Sequence, residues 1–172
     1  AAMPESQSTG EISLNEQGLQ QVMSDFDDSR AAVTASYLQA VALWNAGKEE
    51  EGISKMKAFI DSAPTEEWKA QASVTLACRL MNGGKADQAA SLFRSVVDSG
   101  DPTFSAFATM CLGDIARAGK DSAATGTFYR ELAEKFPSSA FVLDLQRNGY
   151  IRRKALFDIQ SPVRIEPVED KK

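Results

Sequence analysis

The sequence has no histidine. That excludes histidine-based general acid–base chemistry, histidine-containing triads and nearly all zinc catalysis. Its two cysteines, Cys78 and Cys111, are too few for a disulfide scaffold. No run of about 18 uncharged apolar residues occurs, so no segment reads as a membrane-spanning helix. Basic residues number 19 against 24 acidic ones, for a net charge of −5. Nucleic acid wants a basic face and an anionic membrane surface a polybasic one, so neither is an expected partner. The opening Ala1-Ala2-Met3-Pro4-Glu5-Ser6 has neither a basic region nor an apolar core and is not an intact signal peptide. It is read as the remainder left by removal of a signal or anchor, or as a plain chain boundary.

The chain does have a repeat. Gly-Lys recurs at Gly47, Gly84 and Gly119, 37 and then 35 residues apart. Each pair sits between two stretches of helical periodicity, and a fixed period in this range marks a stacked helical array. Pairs of helices are expected at 29–45 and 49–62, at 66–82 and 86–98, and at 104–118 and 122–135. Pro64, Pro102 and Pro137 close them, because proline cannot continue the ladder. A preceding single helix, capped by Ser13 with Glu16, carries Leu14, Leu19, Val22, Met23 and Phe26. Leu19, Val22 and Met23 fall 37 residues before Met56, Phe59 and Ile60, so this helix reads as half a repeat. A last helix is expected over 140–157 as a polar cap, carrying Arg147, Arg152, Arg153 and Lys154. Residues 1–12 read as a disordered polar segment, 13–158 as the repeat domain and 159–172 as an extended tail. No strand pattern is present.

The units resemble the tetratricopeptide repeat. The third has Leu112-Gly113, Ala124-x-x-x-Phe128 and Pro137; the second has Leu76-Ala77, Ala89-x-x-x-Phe93 and Pro102; the first has Ala40, Gly52-x-x-x-Met56 and Pro64. Small residues let the two helices of a pair approach, and the bulky residue one turn later fills the space between neighbours. The resemblance implies an all-α, right-handed superhelix of a half repeat, three pairs and a C-terminal capping helix. The stretches at 59–64 and 132–139 are similar to bacterial cell-envelope versions of the repeat, among them the YfgM-like ancillary subunit of the Sec translocon. That likeness implies a periplasmic or periplasm-facing scaffold for protein partners; the alternative is a cytoplasmic one.

Arrays of this kind bind on a concave face lined by the first helix of each pair. The register then places Tyr37, Val41, Trp44 and Asn45 on that face in the first pair. Gln71, Val74, Cys78, Met81 and Asn82 lie there in the second, and Met110, Asp114 and Arg117 in the third. Asn45 and Asn82 are equivalent and read either as amide clamps for a peptide backbone or as plain helix-end residues. Trp44 and Trp68 read as partner contacts or as packing between units. Cys78 and Cys111 fall on neighbouring first helices and read as a bridge in an oxidising compartment or as buried small apolar residues. The acidic groups Glu49-Glu50-Glu51 and Asp25, Asp27 and Asp28 suit helix ends better than metal ligands, so no metal or cofactor is expected. The functional expectation is a non-catalytic adaptor for a protein partner. Self-association through the unpaired half repeat (a homodimer) and a structural spacer are the alternatives, and a carboxylate-dependent enzyme the contrasting class.

Overall fold

The computed structural model describes residues 16–27 and 29–151. Ser13, Leu14, the polar start, the 152–157 end of the expected last helix and the 159–172 tail lie outside them. Every regular element among the described residues is an α-helix. In order these are α1 Glu16–Asp25, α2 Arg30–Asn45, α3 Glu49–Asp61, α4 Glu66–Asn82, α5 Ala86–Ser99, α6 Ser105–Ala118, α7 Ser122–Lys135 and α8 Ala140–Arg147. Their starts are written in the sequence. Ser29, Thr65, Asp121 and Ser139 accept from the backbone N–H of Ala32, Trp68, Ala124 and Phe141, satisfying donors that a first turn leaves open. Helix α3 begins at Lys48 without a side-chain cap and carries Glu49, Glu50 and Glu51 against its positive end.

The chain divides into two compact units, one up to Ser62 and one from Ala63. In the first, α2 packs against α1 and α3. In the second, α4 packs on α5, α5 on α6 and α6 on α7, with α8 against α6 and α7. Within each unit a helix thus packs on its chain neighbours, the pattern of a repeat.

One turn is used four times. At the ends of α2, α4, α6 and α8 a residue turns left-handed: Gly47, Gly84, Lys120 and Gly149. In each case its N–H and the next one bond back to the helix end, as in Gly47 N to Trp44 O at 3.0 Å and Lys48 N to Leu43 O at 2.9 Å. Asp121 N to Ala116 O (2.9 Å) and Tyr150 N to Leu145 O (2.9 Å) repeat the second bond. This corrects two expectations. In the third turn the left-handed residue is Lys120, and Gly119 stands one place earlier, where Ala46 and Gly83 stand. The last helix ends at Arg147, because Asn148-Gly149 is a fourth helix-ending turn and not helix interior.

Counted from the left-handed residue, the core positions align. Gly52, Ala89 and Thr125 are buried; so are Met56, Phe93 and Tyr129, and Phe59, Val96 and Leu132. The bulky residue of the third pair is therefore Tyr129, only 1% exposed, and not the half-buried Phe128. The small residues have the role expected of them. A Cβ on Gly113 would overlap the Tyr129 ring, and one on Gly52 would overlap the Trp44 ring and meet the Ala40 carbonyl oxygen at 2.9 Å. In the second unit Phe107 of α6 sets its ring edge-on to Phe93 of α5, centroids 6.2 Å apart, and tilted to Phe141 of α8 at 5.7 Å.

Candidate functional site

Tyr37 and Val41 of α2 are half-buried, Tyr37 with its ring edge-on to Phe59 at 5.8 Å. Trp44 departs from the expectation of an accessible contact. It is 7% exposed because its indole lies over Gly52, so it belongs to the packing of α2 on α3. Asn45 is exposed at the helix end beside the turn. On α4, Gln71, Val74, Cys78 and Met81 are half-buried and Asn82 is exposed; on α6, Met110 and Asp114 are half-buried and Arg117 is exposed. By the corrected register Val74 and Met110 are equivalent, as are Cys78 and Asp114, and Met81 and Arg117. Ala118 stands where Asn45 and Asn82 do, so the amide is not carried into the third pair.

Both cysteines are free thiols. Cys111 is buried, and its pKa is pushed up to about 12, by burial first and then by the nearby Cys78 and Asp114. Cys78 is raised by burial too. The reading as small apolar residues is the one these surroundings support.

Asp114 and Arg117 come together in a cluster that also takes in Tyr129 and Tyr150. The Tyr129 hydroxyl donates to Asp114 Oδ1 at 2.6 Å, and Arg117 Nη2 stands 3.6 Å from the same oxygen. The guanidinium lies over the Tyr150 ring, 5.4 Å from its centroid, and the Tyr150 and Tyr129 rings are 5.8 Å apart. Burial, then the Asp114 hydrogen bond, lifts the Tyr129 pKa above its ordinary value. The Arg117 guanidinium is raised, chiefly by the Tyr129 hydroxyl. The Asp114 and Arg117 side chains remain 40% and 42% exposed, so the pair keeps a solvent-facing side. None of these shifts brings a group toward neutral pH, where general acids and bases work best. Sequence reasoning reaches neither tyrosine. Tyr129 carries a signal, since it falls 36 residues after Phe93; Tyr150 has none until the turn at Gly149 is seen.

A second feature lies in the same unit, between α5 and α7 with α6 as its floor. It is a cleft of about 290 Å³. Leu112, Ile115 and Phe128 give it an apolar base; Asp87 and Asp121 lie at the starts of α5 and α7, and Arg94 two turns along α5. Arg117 comes directly after the cleft residue Ala116 on α6. Among the described residues no set of three or more acidic or cysteine side chains is placed to hold a metal ion. No described helix is long and apolar enough to cross a membrane. No protein-family model matches the chain, and neither a curated protein nor a solved structure matches it.

Proposed function

We propose that this chain is a non-catalytic protein-interaction scaffold. It would be built of tetratricopeptide-like pairs stacked as a right-handed superhelix, with a partner segment taken on the first helices of the pairs. The observation that carries this reading is the register. Val74, Cys78 and Met81 on α4 and Met110, Asp114 and Arg117 on α6 occupy equivalent positions and all keep accessible surface. A repeated face of apolar side chains with a few charged and amide groups suits a peptide segment held by a small number of anchors. The buried Trp44 is no contact on this face, and Tyr37 and Val41 are the contacts offered in the first unit. A bacterial envelope location, periplasmic or facing the periplasm, rests on the sequence likeness at 59–64 and 132–139.

The test is a crosslinking capture from envelope and cytosolic fractions, comparing the parent with a Val74→Asp, Met81→Asp, Met110→Asp variant of unchanged helical melt. Identified partners are expected to fall about tenfold or more in the variant, the loss that one good anchor produces. Equal capture by both would count against this face.

Self-association is a second reading with its own observation. Leu19 and Val22 of α1 are half-buried, whereas their equivalents Met56 and Phe59 are 0% and 5% exposed, and Phe26 is 58% exposed. A partner copy laid on α1 would bury that surface. Sedimentation velocity on the parent and on Leu19→Glu decides it: a dimer lost in the variant supports the reading, and a monomer throughout removes it.

A further inference from the structure

The row of equivalent positions runs on past α6. Six places before the left-handed residue stand Cys78 on α4, Asp114 on α6 and, because Gly149 closes the same turn, Leu143 on α8. Cys78 and Asp114 are half-buried, and Leu143 is 57% exposed. Helix α8 packs against α6 in the same unit. In register, the row of this unit thus sets one carboxylate between a thiol and a leucine.

Asp114 differs from an ordinary surface carboxylate. Its Oδ1 accepts from the Tyr129 hydroxyl at 2.6 Å, and Tyr129 is 1% exposed, so the bond is anchored in the core and fixes the carboxylate in place. Burial and this bond raise the Tyr129 pKa, so the hydroxyl keeps its proton and stays a donor. Arg117 Nη2 stands 3.6 Å from the same oxygen, beyond hydrogen-bond length, with the guanidinium over Tyr150. Arg117 therefore bounds the Oδ1 side of the carboxylate. Among the described residues no hydrogen bond reaches the other oxygen, Oδ2. Water can satisfy Oδ2 while the face is open. A partner laid over the row displaces that water, and a carboxylate oxygen left without a donor is strongly unfavourable. The partner itself has to bring the donor. A cationic donor serves best, because charge-assisted hydrogen bonds are about twice as strong as neutral ones. The chain's net charge of −5 favours a cation as well.

We infer that Asp114 is a specificity-determining residue of the proposed face. Its Oδ2 takes a lysine or arginine side chain of the partner segment, with apolar residues of the same segment against Cys78 and Leu143. Tyr129 is the positioning residue that holds the carboxylate for it. The inference rests on the first helices being the binding face and adds the chemistry of the occupant.

Short random peptides displayed on phage, panned on the parent chain, supply the probe. Peptides enriched by the parent and lost on the Val74→Asp, Met81→Asp, Met110→Asp variant are expected to share a lysine or arginine with apolar neighbours. For a synthetic peptide of this set, fluorescence polarisation should show about tenfold weaker binding to Asp114→Asn and several-fold weaker binding to Tyr129→Phe. The same peptide with its basic residue replaced by glutamine should bind the parent and both variants within about twofold of one another, a coupling that a merely destabilised variant does not reproduce. Face-dependent peptides with no shared basic residue, or a basic preference that Asp114→Asn leaves intact, overturn this inference while the binding face stands. A parent that enriches no face-dependent peptide overturns both.

Discussion

Lys120 is the one residue other than glycine that the described backbone holds left-handed, at φ 60°. Its Cβ crowds the following carbonyl there, at a cost of roughly 1–2 kcal/mol that glycine does not incur. Lys120→Gly should therefore stabilise the chain by about 1 kcal/mol, read as a rise of ~3 °C in thermal midpoint. Gly113 gives the opposite case. Alanine there would push its methyl into the Tyr129 ring, which is buried and has little room to retreat. Gly113→Ala should cost about 2 kcal/mol by urea denaturation. Cys111 sets a pH dependence. Its pKa rises from an ordinary value of 9.0 to about 12 in the folded chain, so on raising the pH the unfolded chain loses its proton first. The stability this thiol contributes is complete below about pH 9 and is lost progressively between there and about pH 12. Urea midpoints should fall between about pH 8 and about pH 10.5, and less steeply in Cys111→Ala.

Helix starts in this chain are of two kinds, and they should respond differently to substitution. Asp121 accepts from Ala124 N at 2.9 Å, whereas Lys48 and Lys85 stand before α3 and α5 and make no side-chain cap. Asp121→Ala should cost about 1 kcal/mol in a thermal melt, and Lys85→Ala close to nothing. Helix bounds of this kind are legible in the sequence: α4 and α7 run over the stretches expected of them, because Thr65, Pro64 and Pro137 are unambiguous local signals. The register of the third pair is not legible. Gly119-Lys120 looks like Gly47-Lys48, and only the backbone shows lysine taking the conformation that glycine takes elsewhere. That single step shifts the expected core residue from Tyr129 to Phe128 and hides the hydrogen bond to Asp114. The end of α8 is obscured for a related reason. Asn148-Gly149 resembles Asn45-Ala46-Gly47 only in part, and the basic and apolar residues beyond it continue a helical pattern. Trp44 defeats sequence reasoning because nothing in a one-dimensional pattern says that a helix-end tryptophan folds back over a glycine eight residues on.

At the largest scale, the described residues build helices throughout, in two compact units. The second helices of the three complete pairs bury their equivalent large residues, and α4 and α6 leave a row of equivalent positions partly open. Val74 and Met110, Cys78 and Asp114, and Met81 and Arg117 are equivalent pairs that keep accessible surface on α4 and α6, and this is the ground on which the face is proposed as a binding surface. The chain's acidity bears on which partner the proposed scaffold would take. With a net charge of −5, it should favour basic or neutral segments, with capture that weakens as salt rises. The most direct test is the crosslinking capture with the Val74→Asp, Met81→Asp, Met110→Asp variant, run beside the parent at equal folded concentration. The account predicts that named partners of the parent fall about tenfold or more in the variant. Unchanged capture, or none by either chain, would contradict it.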